Sequence, residues 1–162
     1  MSKTRRVAPI LLTVLLSLLL ASVVVADGHA PVSNYRAHLT GAEETPAPVD
    51  TDAQGQAIFQ FDHREGALHY RLIVANIEDV FAAHIHCGAP GVGGPVGVTL
   101  FVGGPTSDSG VLATGSPTAP DDGNACGWQT LAEVQAAIDA GEAYVNVHTL
   151  AHPPGEIRGQ IH

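Results

Sequence analysis

The chain has 162 residues, with 7 basic and 16 acidic side chains, a formal net charge of −9, 9 histidines and 2 cysteines. So acidic a surface repels phosphate backbones and anionic lipid, which excludes nucleic acid as a partner and favours cations, metal ions among them. The length suits one domain with its own core.

Residues 1–26 carry an export pattern. Lys3, Arg5 and Arg6 form a basic start, residues 7–25 are almost wholly apolar, and Val24-Val25-Ala26 places small residues before a cut at Asp27. The expectation is a cleaved signal peptide and a secreted or periplasmic protein. The alternative is a retained anchor, since the apolar run is nearly long enough to span a bilayer, and contact with a membrane is expected only in that case. Cleavage leaves four arginines and no lysine against 16 acidic residues, hence −12.

"DGHAPVSN", residues 27–34, reads as a flexible leader. Beyond it the pattern has period two. Tyr35, Ala37 and Leu39 alternate with polar residues, as do Ala57, Phe59 and Phe61, with a Pro- and acid-rich loop between the two runs. "HREG" makes a tight turn into a strand whose inner face is Leu68, Tyr70, Leu72 and Val74, so these two segments form a hairpin. A separate strand is expected at residues 80–87 and another over "VGVTLFV", followed by a broken polar stretch from Gly103 to Gly127. Thr130 and Glu133 make a capping box for one helix. Leu131, Val134 and Ile138 share its apolar face, and Gly141 stands at its C-terminal end. "AYVNVHTL" and "GEIRGQIH" are the last strands. Six or seven short strands with one helix inserted late predict an all-β antiparallel sandwich or flattened barrel.

The chemistry concentrates in "FAAHIHCGAPG", residues 81–91. Residues two apart on a strand share a face, so His84 and His86 project together and can both reach one ion at about 2.0–2.1 Å, a distance suited to copper or zinc. His148 is the best third ligand, on a strand face shared with Tyr144 and Asn146. The bland alternative is surface histidines in a hydrogen-bond network with Glu156 and Arg158. Glu156 and Arg158 themselves read either as a strand-face ion pair or, for Glu156, as an acceptor that fixes a histidine tautomer. Cys87 and Cys126 are expected to form a disulfide that closes a loop of about 40 residues, for roughly 3–4 kcal/mol; a thiolate ligand at Cys87 is the alternative. The glycine loop after Cys87 has no lysine and no following helix, so it is a turn and not a phosphate cradle.

"AHLTGAEETPAP", "DAQGQAIFQF", "AAHIHCGAPGVGGPVGVTLF" and "AYVNVHTLAHPPGEIRGQI", in that order from about Tyr35 to Ile161, resemble the CHRD (chordin-type) domain family. The resemblance implies an extracellular or periplasmic domain over residues 35–162. It also implies an immunoglobulin-like sandwich similar to Cu,Zn superoxide dismutase, in which a His-x-His strand holds copper. His84 and His86 match that pair and His148 is a further ligand. The zinc-loop histidines and aspartate of the enzyme have no counterpart, nor does its bridging histidine, so a dinuclear site is not expected, while a mononuclear one remains open. Three functions remain open: a binding protein with a copper or zinc ion, a superoxide dismutase-like copper oxidoreductase with Arg158 guiding the anion, and a metal-free module that binds an extracellular protein.

Overall fold

A computed structural model describes residues 32–162. The export signal and most of the leader lie outside the described residues. The leader reading is too long at its C-terminal end, because the first strand already starts at Val32. Residues 32–34 there pair with Gln60, Phe61 and Asp62, which gives their backbone groups partners.

Six strands and one helix follow in order: β1 (Val32–Thr40), β2 (Gln54–Asp62), β3 (Ala67–Cys87), β4 (Val96–Gly115), α1 (Leu131–Asp139), β5 (Ala143–Thr149) and β6 (Ile157–Gln160). All pairings are antiparallel. The sheet order is β2-β1-β6-β5-β3-β4, and β2 also pairs with β3, so the sheet returns on itself as a flattened, barrel-like sandwich. β3 makes this possible. β4 pairs with it along most of its length; on the opposite side β2 takes residues 67–75 and β5 takes residues 80–87. The all-β antiparallel expectation holds, and the arrangement is compatible with the immunoglobulin-like or superoxide dismutase-like sandwich that the resemblance implied.

Two boundaries differ from the sequence reading. β3 is one strand of 21 residues where two were expected, and β4 runs on to Gly115 where a broken stretch was expected. The cause lies at Asn76 and Asp79, whose φ values of 55° and 53° interrupt the period of two. Val74, Ile77 and Val80 are all buried at a spacing of three, a bulged pattern that simple alternation does not anticipate. The serine-rich run of β4 completes the ladder there: Ser109 Oγ accepts from the Asn76 N–H (3.2 Å) and Ser107 Oγ from the Asp79 N–H (3.1 Å).

The core is the inward face of every strand, with Leu39, Phe59, Leu68, Leu72, Val74, Val80, Ile85, Val98, Val145, Val147, Ile157 and Ile161 almost wholly buried. α1 adds Leu131, Val134 and Ile138, and its start carries both hydrogen bonds of the expected capping box. Among the described residues no helix is long and apolar enough to cross a membrane. Cys87 and Cys126 are joined in a disulfide, with a sequence separation of 39.

At the corner where β1 meets β6, Gly159 stands against the β1 backbone. A Cβ there would lie 2.2 Å from the His38 carbonyl oxygen and 2.7 Å from its carbon, and backbone cannot yield as a flexible side chain can. Gly159→Ala is therefore expected to lower stability by about 2 kcal/mol or more, read as a lower urea midpoint with unchanged slope. An unchanged midpoint would show that the corner can open at little cost.

Candidate metal centre

β3 and β5 are hydrogen-bonded neighbours in which Ala82 faces His148, His84 faces Asn146 and His86 faces Tyr144. Directly opposed residues share a face, so His84, His86, Tyr144, Asn146 and His148 point together, away from Ala83, Ile85, Val145 and Val147 in the core. β6 extends this face with Arg158 opposite Asn146 and Gln160 opposite Tyr144. A polar face of this kind would ordinarily meet water. Here every residue of β5 is buried on both sides, because loops cover the polar side.

Three segments form that cover, and each is tied down by hydrogen bonds to the face. Arg158, only 1% exposed, donates from Nη1 to Thr45 Oγ1 (2.8 Å) and from Nη2 to the carbonyls of Ala89 (3.1 Å) and Val92 (2.9 Å). Tyr144 Oη accepts from the Gly94 N–H at 3.0 Å and lies 3.2 Å from its carbonyl. Gln160 donates to Gly88 and Gly141 carbonyls. Pro153 and Pro154, in the β5–β6 turn, turn their carbonyls toward His148 and Asn146.

Within this covered face the three imidazoles converge. Their ring centroids are 5.0 Å apart for His84–His148, and 5.6 Å for both His84–His86 and His86–His148. One ring nitrogen from each lies within 4.8 Å of those of the other two. Nδ1 of His86 donates to the Gly94 carbonyl at 2.9 Å, and Nδ1 of His148 to the Pro153 carbonyl at 3.0 Å. Since a carbonyl only accepts, both rings carry their proton on Nδ1 and present a lone pair at Nε2. Those two Nε2 atoms, with Nδ1 of His84, are buried and have no hydrogen-bond partner in the protein. Unpaired buried nitrogens are costly, and three in one cluster suit an electrophile that takes lone pairs. Backbone carbonyls that orient the far nitrogen, as on His86 and His148, are a usual support of imidazole ligands.

The electrostatics point the same way. Burial pushes the His84 ring from its ordinary 6.5 down to about 4, with His148 and His86 adding to the shift and Asp121 opposing it. Burial also brings His86 down to about 4, against the Gly94 carbonyl, and lowers His148. The cluster is neutral at neutral pH, the state that ligates a metal.

Other residues singled out in the sequence take different places. Glu156 neither pairs with Arg158 nor accepts from a histidine. Its carboxylate oxygens receive the hydroxyls of Thr51 and Thr149, each at 2.7 Å, because it sits in the turn before β6 and not on the strand face. Arg158 is a clamp for the cover, and among the described residues its hydrogen bonds go to a hydroxyl and two carbonyls and not to a carboxylate. Asn146 lies on the histidine face but reaches Glu44 Oε2 and the Pro154 carbonyl, both at 3.5 Å. Cys87 is disulfide-bonded and so is not a thiolate ligand. Three further residues take part, of which the sequence places only Tyr144 on this face. Gly94 supplies the carbonyl behind His86, and its position admits only glycine, since a Cβ would lie 1.7 Å from the Cys87 oxygen. Tyr144 stacks on His86 (5.0 Å, 12°). Glu44, buried beside Asn146, has its carboxyl raised to about 7 by burial, partly offset by the Thr45 N–H and Arg158. The glycine density directly after His-x-His was the available sign of the first.

The lowered imidazoles make stability depend on pH. Between about 6.5 and 4 the unfolded chain takes up protons that the folded histidines refuse, so stability is greatest above 6.5 and falls on acidification. Glu44 acts in the opposite sense, holding a proton in the folded state that the unfolded chain releases above 4.5. Three histidines outweigh one carboxyl. The metal-free protein should lose up to about 2 kcal/mol per pH unit in this window, and His84→Ala/His86→Ala should flatten the slope measured by denaturation at several pH values. A slope unchanged by the double substitution would mean that the rings titrate freely in the folded state.

No curated protein and no solved structure matches the chain. A family model for the CHRD domain matches residues 35–161. That span opens at Tyr35 in β1, closes one residue after β6, and includes every strand, the helix, both cysteines and the three converging histidines. The chain belongs to the CHRD domain family.

Proposed function

We propose that this CHRD domain is an exported binding module that holds one transition-metal ion, copper or zinc, between His84, His86 and His148. The observation that carries the reading is the convergence of three buried ring nitrogens that have no partner in the protein, two of them on rings oriented by backbone carbonyls. Imidazole nitrogen is a preferred donor for both metals, and three donors leave room for a further ligand. An ion bound there would complete the hydrogen-bonding deficit of the cluster and cross-link β3 to β5. The disulfide supports export, because such bonds persist in oxidising compartments.

Two strands, not loops, carry the ligands, and the covering segments hold two of the rings, His86 and His148, by their outer nitrogens. The chain's part is thus to keep three neutral imidazoles aimed at one point and to exclude bulk water from them. The purified protein should retain about one equivalent of copper or zinc after dialysis, and His84→Ala/His86→Ala close to none. At a free metal concentration 100 times the dissociation constant, binding should add about 2.7 kcal/mol to folding stability. Equal, near-zero metal in parent and variant would end this reading.

A further inference from the structure

Three features bear on which ion the centre takes. The donor set carries no charge: the converging cluster contains imidazoles alone, and both cysteines are committed to the disulfide. The nearby acids are occupied elsewhere. Asp121, close enough to act on His84 through space, has Oδ1 held by the Thr99 N–H (3.0 Å) and Oδ2 by the Thr99 hydroxyl (2.6 Å). Glu156 is held by two threonines, and Glu44 turns toward Thr45 and Asn146. Meanwhile a permanent cation is buried alongside. The Arg158 guanidinium lies 3.6 Å from the Tyr144 ring centroid, and that ring stacks on His86 at 5.0 Å, so the charge stands within about 9 Å of a ligand ring. Arg158 is hydrogen-bonded by a hydroxyl and two carbonyls and rests on a π-face, and the nearby Glu44, whose carboxyl burial raises to about 7, offsets its charge only in part at neutral pH.

We propose that the histidine centre selects a singly charged ion, cuprous copper, over a divalent one such as Zn(II), and that Arg158 sets much of this preference; the inference rests on His84, His86 and His148 being the ligands. An ion transferred from water to a covered site loses its hydration, and the loss grows steeply with its charge. Anionic ligands normally offset that loss for a divalent ion, and this donor set has none. Repulsion from the buried guanidinium also doubles from a monovalent to a divalent ion. Coordination number does not exclude either ion: zinc would add a water to the three imidazoles, whereas Cu(I) can stop at three nitrogens. The acidic surface attracts both kinds of ion, but its exposed charges are screened by salt and do not discriminate at the site.

The test is chelator competition on the full protein under anaerobic conditions, with Cu(I) kept reduced by ascorbate and Zn(II) measured separately. Cu(I) should bind at least about a hundredfold more tightly than Zn(II). At an effective dielectric of about 20, neutralising Arg158 should move that ratio toward zinc by about tenfold in Arg158→Met, whereas Arg158→Lys, which keeps the charge and loses the fork, should leave it near the parent value. Zinc binding as tightly as Cu(I) in the parent would overturn the proposal while leaving the three-histidine site intact, and that comparison needs no variant to fold. A ratio equal in parent and Arg158→Met would remove Arg158 from it. If neither ion binds the parent more tightly than His84→Ala/His86→Ala, the site itself is refuted, and the selectivity with it.

Discussion

A polar strand face buried beneath loops is the constraint on which the rest of this structure depends. β5 and β6 turn Tyr144, Asn146, His148, Arg158 and Gln160 away from the apolar core, yet all but Gln160 are buried and Gln160 is partly so. Buried polar groups must find partners or destabilise the fold by several kcal/mol each. Arg158 resolves most of this tension. One guanidinium joins the segment after β1, through Thr45, to the loop after β3, through Ala89 and Val92, and rests on Tyr144. Its planar fork suits three fixed acceptors in a way that an ammonium group cannot match. The hydrogen bonds that solvate the charge come from a hydroxyl and carbonyl dipoles, with Glu44 acting on it through space.

The exceptions on this face are informative because the remainder is so well satisfied. Among the described residues five buried side-chain atoms lack a partner in the protein: one nitrogen on each of the three histidines, Glu44 Oε1 and Asn146 Oδ1. The two oxygens belong to neighbouring side chains already joined by one long hydrogen bond. A proton on Glu44, which burial favours, turns that carboxyl from an acceptor into a donor and relieves the excess of acceptors. Protonation offers no such relief to the histidines. A proton on any ring is opposed by burial, and a second proton would repel the first at ring separations of 5.0–5.6 Å. The proposed ion, shared by all three rings, would satisfy them together.

Much of this was legible in the sequence, and the reasons are specific. Period-two alternation placed Ala37, Leu39, Ala57, Phe59 and Phe61 in the core because β1 and β2 pair without irregularity over nine residues. Alternation failed in β3 and β4, where positive φ at Asn76 and Asp79 shifts the register and serine side chains replace backbone partners. The pairing of His84 with His86 followed from spacing alone. The approach of His148 did not, since it depends on β5 lying beside β3, a long-range pairing that no local pattern encodes. Glu156 was misjudged for a related reason. Its alternation with Ile157 suggested the strand face, but the backbone turns at Gly155–Glu156 and delivers the carboxylate to Thr51 and Thr149. Burial of the polar face was equally hidden, because loops far apart in the chain assemble it.

The location of the disulfide follows from the same logic. Cys87 ends β3 one residue after His86 and begins the loop that carries Gly94, while Cys126 precedes Trp128, whose indole covers Gly97 at the start of β4. The bond therefore closes a loop at the end of the strand that presents two of the three histidines. In the chain-entropy account it restrains the unfolded ensemble by about 4 kcal/mol for a separation of this size. Its local effect matters more for the site. A glycine-rich loop left to itself samples many conformations, and the Gly94 carbonyl can orient His86 only if that loop has one. Cys87 anchors its start, Arg158 its middle and Tyr144 its end. The flexibility that lets the loop pass so close to the Cys87 backbone is removed by these three anchors, one disulfide and two sets of hydrogen bonds, and a chemically permissive sequence becomes a rigid wall beside the imidazoles.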